Sequence, residues 1–346
     1  ALFRAGYGFD PYIHQAAERY IQSHGFLTPR TFYYIGLYSI VLFADGVTAT
    51  PLEWIDRLLV PTLATTLPLL AYGALLARKS QPRADASVGS PTPEAKSGRR
   101  GFAAIGALGM FALPFSSWIA TSPQSLANLF LLAALLSALG TARLSIIALF
   151  ALAALVTHPV AGIPALLFVA LLALRHLKQT LLRRAIFLGL TVAGIIALPT
   201  LFLIAGGGKF TASGIPDYLT WSAYLKNRFD PFRDLAYAWI WNTPLVLAIG
   251  ALAGWVARRK QKIPYAAAGL TTLATAATVA GFISFPKLPI YEQGDYGARL
   301  AGVAALFFLP LFLLAMASLA KRAQERGQKI ALAGLLASAI TAAVYG

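Results

Sequence analysis

Apolar runs long enough to cross a bilayer, separated by short polar clusters, recur along the chain. A hydrocarbon core of roughly 30 Å takes about 20 residues of helix. Uncharged stretches of that order lie at Leu58–Ala77, Ala185–Gly208, Leu235–Ala257, Ile263–Pro286 and Leu300–Ala320, with a shorter one at Ile330–Gly346. Gly101–Ala142 carries no formal charge and is broken at Pro114 and Pro123, which predicts two helices joined by the polar turn Ser116–Ser122. Leu144–Leu174 is interrupted by His158-Pro159 and predicts two short helices meeting near one membrane face. The pattern therefore predicts an all-α, polytopic integral membrane protein with about ten transmembrane helices. It divides the chain into an outer loop with interfacial helices, 1–56, and a transmembrane bundle, 57–346.

Composition sharpens this reading. Of the 346 residues 58% are hydrophobic and 12% charged, where ordinary soluble domains have about 45–50% and about 25%. Mean hydropathy is +0.67. The chain has no cysteine, which excludes disulfide and thiolate-metal frameworks. A net charge of +16 would suit nucleic acid if it formed one folded face, but the basic residues sit between apolar runs, so no nucleic-acid partner is expected.

The distribution of charge predicts sidedness. Loops 78–100, 141–143, 175–184, 257–262 and 321–329 hold 19 of the 29 basic residues and three of the 13 acids. The remaining segments are balanced, so the whole excess lies on one side, which the positive-inside rule makes cytoplasmic. A multi-pass protein of a plasma (inner) membrane follows as the expectation. Segment 78–100, rich in Ser, Pro, Gly and charge, reads as a flexible cytoplasmic loop. Residues 1–56, 206–234 and 287–297 then face outward, and a membrane helix preceding Ala1 is expected.

Polar residues with chemical potential gather in those outward segments. Asp10-Pro11 is a cap and first-turn pair that predicts a helix start. Asp10, His14 and Glu18 then share one face at i, i+4 and i+8. For His14 and Glu18 the simplest reading is an amphipathic interfacial helix whose polar face meets water. Thr28–Phe43 is a short apolar stretch expected to lie in the outer leaflet as a juxtamembrane helix, with Tyr33, Tyr34 and Tyr38 at headgroup level. Lys209 follows a glycine run that lacks the strand-turn-helix context of a phosphate loop. In the last outer loop Tyr291, Glu292, Asp295 and Tyr296 crowd Arg299, whose guanidinium suits bidentate contact with phosphate or interfacial anchoring. No acid or base stands within the predicted spans, and His158 is expected near their outer ends. Transporters use such buried ionisable groups, so the pattern favours chemistry at the outer interface.

The run Phe9-Asp10-Pro11-Tyr12, a short helix and Ser23-His24-Gly25 resembles the first outer loop of polytopic glycosyltransferases of the GT-C class, in particular the catalytic subunit of oligosaccharyltransferase. Tyr33–Tyr38, leading into a span near Leu58, looks like the juxtamembrane helices of the lipid-linked aminoarabinose and mannose transferases of that class. His158-Pro159 and Asp295–Arg299 also fit. The resemblance implies inverting transfer of a sugar from a polyprenyl-phosphate donor to an acceptor at the outer face, with membrane lipid as the surrounding partner. Asp10 would be the catalytic carboxylate, and Arg299, or else Lys209 or Lys287, would stabilise the leaving phosphate. Gly8 and Thr121-Ser122-Pro123-Gln124 stand where oligosaccharyltransferase has acids, so a divalent cation (Mg or Mn), if one is held, rests on Asp10. Two other readings remain: an outer-face glycan polymerase or ligase, and a transporter or flippase of lipid-linked precursors.

Overall fold

The computed structural model describes residues 10–27, 34–79, 93–112, 121–204, 207–211, 263–286 and 295–325. The helices are α1 (Asp10–His24), α2 (Ile35–Thr48), α3 (Leu52–Ala64), α4 (Leu67–Lys79), α5 (Pro93–Leu108), α6 (Pro123–Leu139), α7 (Leu144–Thr157), α8 (Pro159–Ala173), α9 (Thr180–Ile204), α10 (Ile263–Phe282) and α11 (Asp295–Glu325). A two-residue ladder, β1 (Lys209–Phe210) with β2 (Ile283–Ser284), ties the end of α9 to the end of α10 in antiparallel register.

Local sequence explains the boundaries. Ser122 caps α6, its hydroxyl accepting from the Ser125 N–H at 3.1 Å, with Pro123 in the first turn. His158 closes α7 and caps α8, again with a proline following. Pro61, Pro164, Pro199 and Pro310 stand inside α3, α8, α9 and α11, as membrane helices tolerate.

Among the described residues five helical stretches are long and apolar enough to cross a membrane: Leu52–Ala77, Pro159–His176, Thr180–Ile204, Ile263–Phe282 and Tyr296–Ala323. α2, α6 and α7 are apolar but have only 14, 17 and 14 residues. Large apolar side chains such as Leu69, Leu149, Leu188, Val192 and Ile196 are exposed on the outside of the bundle, while Leu132, Phe168, Leu198 and Phe307 fill its interior. A bundle greasy on both sides is embedded in lipid. The expected spans 235–257 and 330–346 lie outside the described residues, which hold those five helices and three shorter apolar ones.

Two boundaries differ from expectation. The span expected from Leu58 begins at Leu52, so Glu53, Asp56 and Arg57 lie inside the helix rather than before it. The segment expected to be flexible, 78–100, is helical from Pro93, a proline at the first helical position, and runs on into the apolar residues after Gly101.

The interior is tight where helices cross. A Cβ on Gly162 would stand 2.1 Å from Leu155 Cα, and one on Gly36 would stand 2.7 Å from Thr157 Oγ1. The first contact closes the α7–α8 hairpin, and the second seats α2 on the end of α7. Both lie beside His158. At the opposite end Gly140 packs on Ala74, and Gly106 on Leu75 and Ala317. Midway, Thr275 donates to the Gly194 carbonyl at 3.2 Å, joining α10 to α9.

Candidate functional site

α1 lies across the end of the bundle, packed on α2 and α3. The helix expected from Asp10-Pro11 forms, but its polar row turns inward. His14 is 6% exposed and Glu18 is fully buried, which overturns the reading in which this face meets water. The physical reason is that the ground beneath α1 is itself polar, supplied by Tyr38 of α2 and Asp56 of α3. Arg19 pairs with Glu53, and the Gln22 amide donates to Asp45 at 2.8 Å, closing the two edges of the contact.

His14 is the hub of an aromatic group. Its Nδ1 lies 3.0 Å from the Tyr38 hydroxyl. Its ring meets Tyr34 edge-on at 5.1 Å, and Tyr34 in turn lies 5.5 Å from the His158 ring. Tyr38, expected at headgroup level, is 3% exposed and belongs to this group instead.

His158 sits between α7 and α8, 4% exposed, with Nδ1 accepting from the Val160 N–H at 3.2 Å. Burial, and after it the Arg299 and His14 charges, push its pKa down to about 3. The ring is therefore neutral at pH 7. Because Nδ1 is occupied as an acceptor, the proton resides on Nε2, which makes His158 a neutral donor.

Arg299, in the second turn of α11, lies with its guanidinium 5.6 Å from the centre of the Tyr296 ring. Tyr296 packs on Phe202 at 4.9 Å and Phe285 at 4.7 Å, an aromatic wall that orients the first turn of α11. Lys209 is exposed in β1, opposite Ser284.

Glu18 and Asp56 were not expected together. They face each other across the α1–α3 contact, with Gln15 hydrogen-bonded to Asp56. Neither Glu18 oxygen, nor Asp56 Oδ2, has a donor among the described residues. Burial foremost, and then the neighbouring Asp56 carboxyl, push the Glu18 pKa up to about 9. The sequence signal for Asp56 was an acid at the head of an apolar run, which reads equally well as the water boundary.

Asp10 opens α1 one turn before His14, and Asp295 opens α11 one turn before Arg299; their side chains, with Tyr33, Tyr291, Glu292 and Lys287, lie outside the described residues. The structure thus brings together His14, Glu18, Tyr34, His158 and Arg299 of the expected residues, and adds Tyr38 and Asp56. Among the described residues no three His, Asp or Glu side chains are grouped to hold a metal ion. No protein family, curated protein or solved structure matches the chain. Its site has to be read from its own geometry.

Proposed function

We propose that the protein is a GT-C-like glycosyltransferase that moves a sugar from a polyprenyl-phosphate donor to an acceptor hydroxyl at the outer face of the membrane. The observation that carries this reading is the convergence of the α1 row, the neutral His158 and Arg299 at one end of a lipid-embedded bundle, the end that the charge distribution places outside.

The roles follow from the chemistry. Asp10 takes the proton of the acceptor hydroxyl as its oxygen attacks the anomeric carbon, forming the new glycosidic bond with inversion. The bond between that carbon and the donor phosphate oxygen breaks, and its electron pair leaves with polyprenyl phosphate. Arg299 offsets the charge that develops there, at a depth where a guanidinium reaches headgroups. His158 Nε2–H donates a hydrogen bond without adding charge, and His14 with Tyr38 holds the start of α1 over the site.

The test is release of polyprenyl phosphate from labelled lipid-phosphate sugars by the full chain in membranes, comparing Asp10→Asn with the wild type. A fall of about 10²–10⁴-fold with donor binding retained supports the reading. Unchanged turnover removes Asp10 from the mechanism, and no turnover by wild type with any donor favours transport of the lipid-linked precursor.

A further inference from the structure

Two carboxyls buried face to face make an unstable arrangement when both are ionised. Each is an acceptor, and burial of an unpaired charge costs several kcal/mol. Arg19, whose charge reaches Asp56, is paired with Glu53 and is itself exposed. One proton removes the conflict, because a protonated Glu18 becomes the donor that Asp56 lacks.

We infer that Glu18 and Asp56 share one proton, and that this pair is the positioning element that holds α1, and with it Asp10 and His14, down on the bundle. The surrounding groups are consistent with that role. From α1 itself come His14, Arg19 and the Gln15 amide. From α2 come Tyr38, committed to His14, and Asp45, committed to Gln22. α3 adds Glu53 and Arg57, of which Glu53 is paired with Arg19 and Arg57 lies over the Trp54 ring. α6, packed behind α3, carries no ionisable residue. Nothing else described supplies the missing donor to Glu18.

The consequence is a direction in pH. Glu18 holds its proton up to about pH 9 when α1 is seated and releases it near 4.5 when α1 is lifted into water. Seating is therefore complete below pH 4.5 and weakens about tenfold per pH unit as the pH rises toward 9, where one proton separates the two states. The effect on turnover rests on the transferase reading, but the seating of α1 does not.

Hydrogen exchange of the full chain in lipid nanodiscs, corrected for intrinsic rates, measures the seating directly. Between pH 6.5 and 8.5 protection over residues 14–24 should fall about tenfold per unit relative to α10, and Glu18→Gln, which supplies a permanent donor, should flatten that slope. A wild-type slope of zero, or an unaltered slope in Glu18→Gln, overturns the inference. Because the chain has no cysteine, Glu18→Cys with Asp56→Cys gives a second measurement: a disulfide should form and make protection independent of pH, and failure to cross-link overturns the face-to-face placement. Turnover lost in Asp10→Asn with a flat exchange slope defeats the pair alone. A steep slope with no turnover from any donor defeats only the transferase.

Discussion

At the end of the bundle where α6 turns into α7, helices meet through small residues: Gly140 against Ala74, and Gly106 against Leu75 and Ala317. The cations there, Arg143, Arg175, Lys321 and Arg322, are exposed. At the other end α1 is laid across α2 and α3, and every buried carboxyl and imidazole among the described residues, His14, Glu18, Asp56 and His158, is found there. Both ends use close van der Waals approach, the second at Gly162 and Gly36 beside His158, which suits helices in lipid, where apolar burial alone gives little drive for association. The second retains polar groups that cost free energy to bury, and such groups persist where they serve chemistry or position it.

If that division is right, substitutions in the two regions should differ in kind as well as size. The largest effect expected is from Phe168→Ala in the shared interior, where a fully buried ring packs on Tyr265 and Phe307. It should lower unfolding stability in detergent by about 3–5 kcal/mol and leave the pH dependence of α1 untouched. Gly162→Ala comes next, since its Cβ would overlap Leu155. A loss of about 1–3 kcal/mol is expected in the same unfolding assay, with His158 displaced. Tyr38→Phe removes the hydroxyl from His14 and should cost about 1 kcal/mol, visible as faster exchange of α1 with no change in α10. The smallest effect belongs to Arg19→Ala: its pair with Glu53 is exposed, so less than about 1 kcal/mol is expected, diminishing further in high salt. A large pH-dependent loss in Phe168→Ala, or none in α1 for Tyr38→Phe, would break the comparison.

Part of this was legible in the chain. The starts of α1, α6 and α8 fall at Asp10-Pro11, Ser122-Pro123 and His158-Pro159, and for α6 and α8 the cap is a local interaction written in adjacent residues. The inward turn of His14 and Glu18 was not legible, since an amphipathic pattern fixes which residues share a face and leaves open whether water or another polar face lies opposite. Asp56 was hidden for a related reason. With Glu53 and Arg57 beside it, it resembled the edge of a span, and only the packing of α1 over α3 makes it interior. The shortness of α2 and α7 was legible, from the brief apolar run Thr28–Phe43 and the break at His158-Pro159, whereas that of α6 was not, being a property of helix ends that hydropathy cannot locate.

The His158 junction also defines which replacements that position could accept. Its ring gives α8 an acceptor through Nδ1 and presents a proton through Nε2. Asparagine offers the same two faculties, an oxygen to cap with and an N–H to offer, and is among the preferred capping residues. Serine would keep the cap with a shorter reach, and lysine, having no acceptor, would lose it. What the fold selects at 158 is a small two-sided polar group of fixed polarity, so asparagine is the exchange through which the position could drift without dismantling the hairpin it joins.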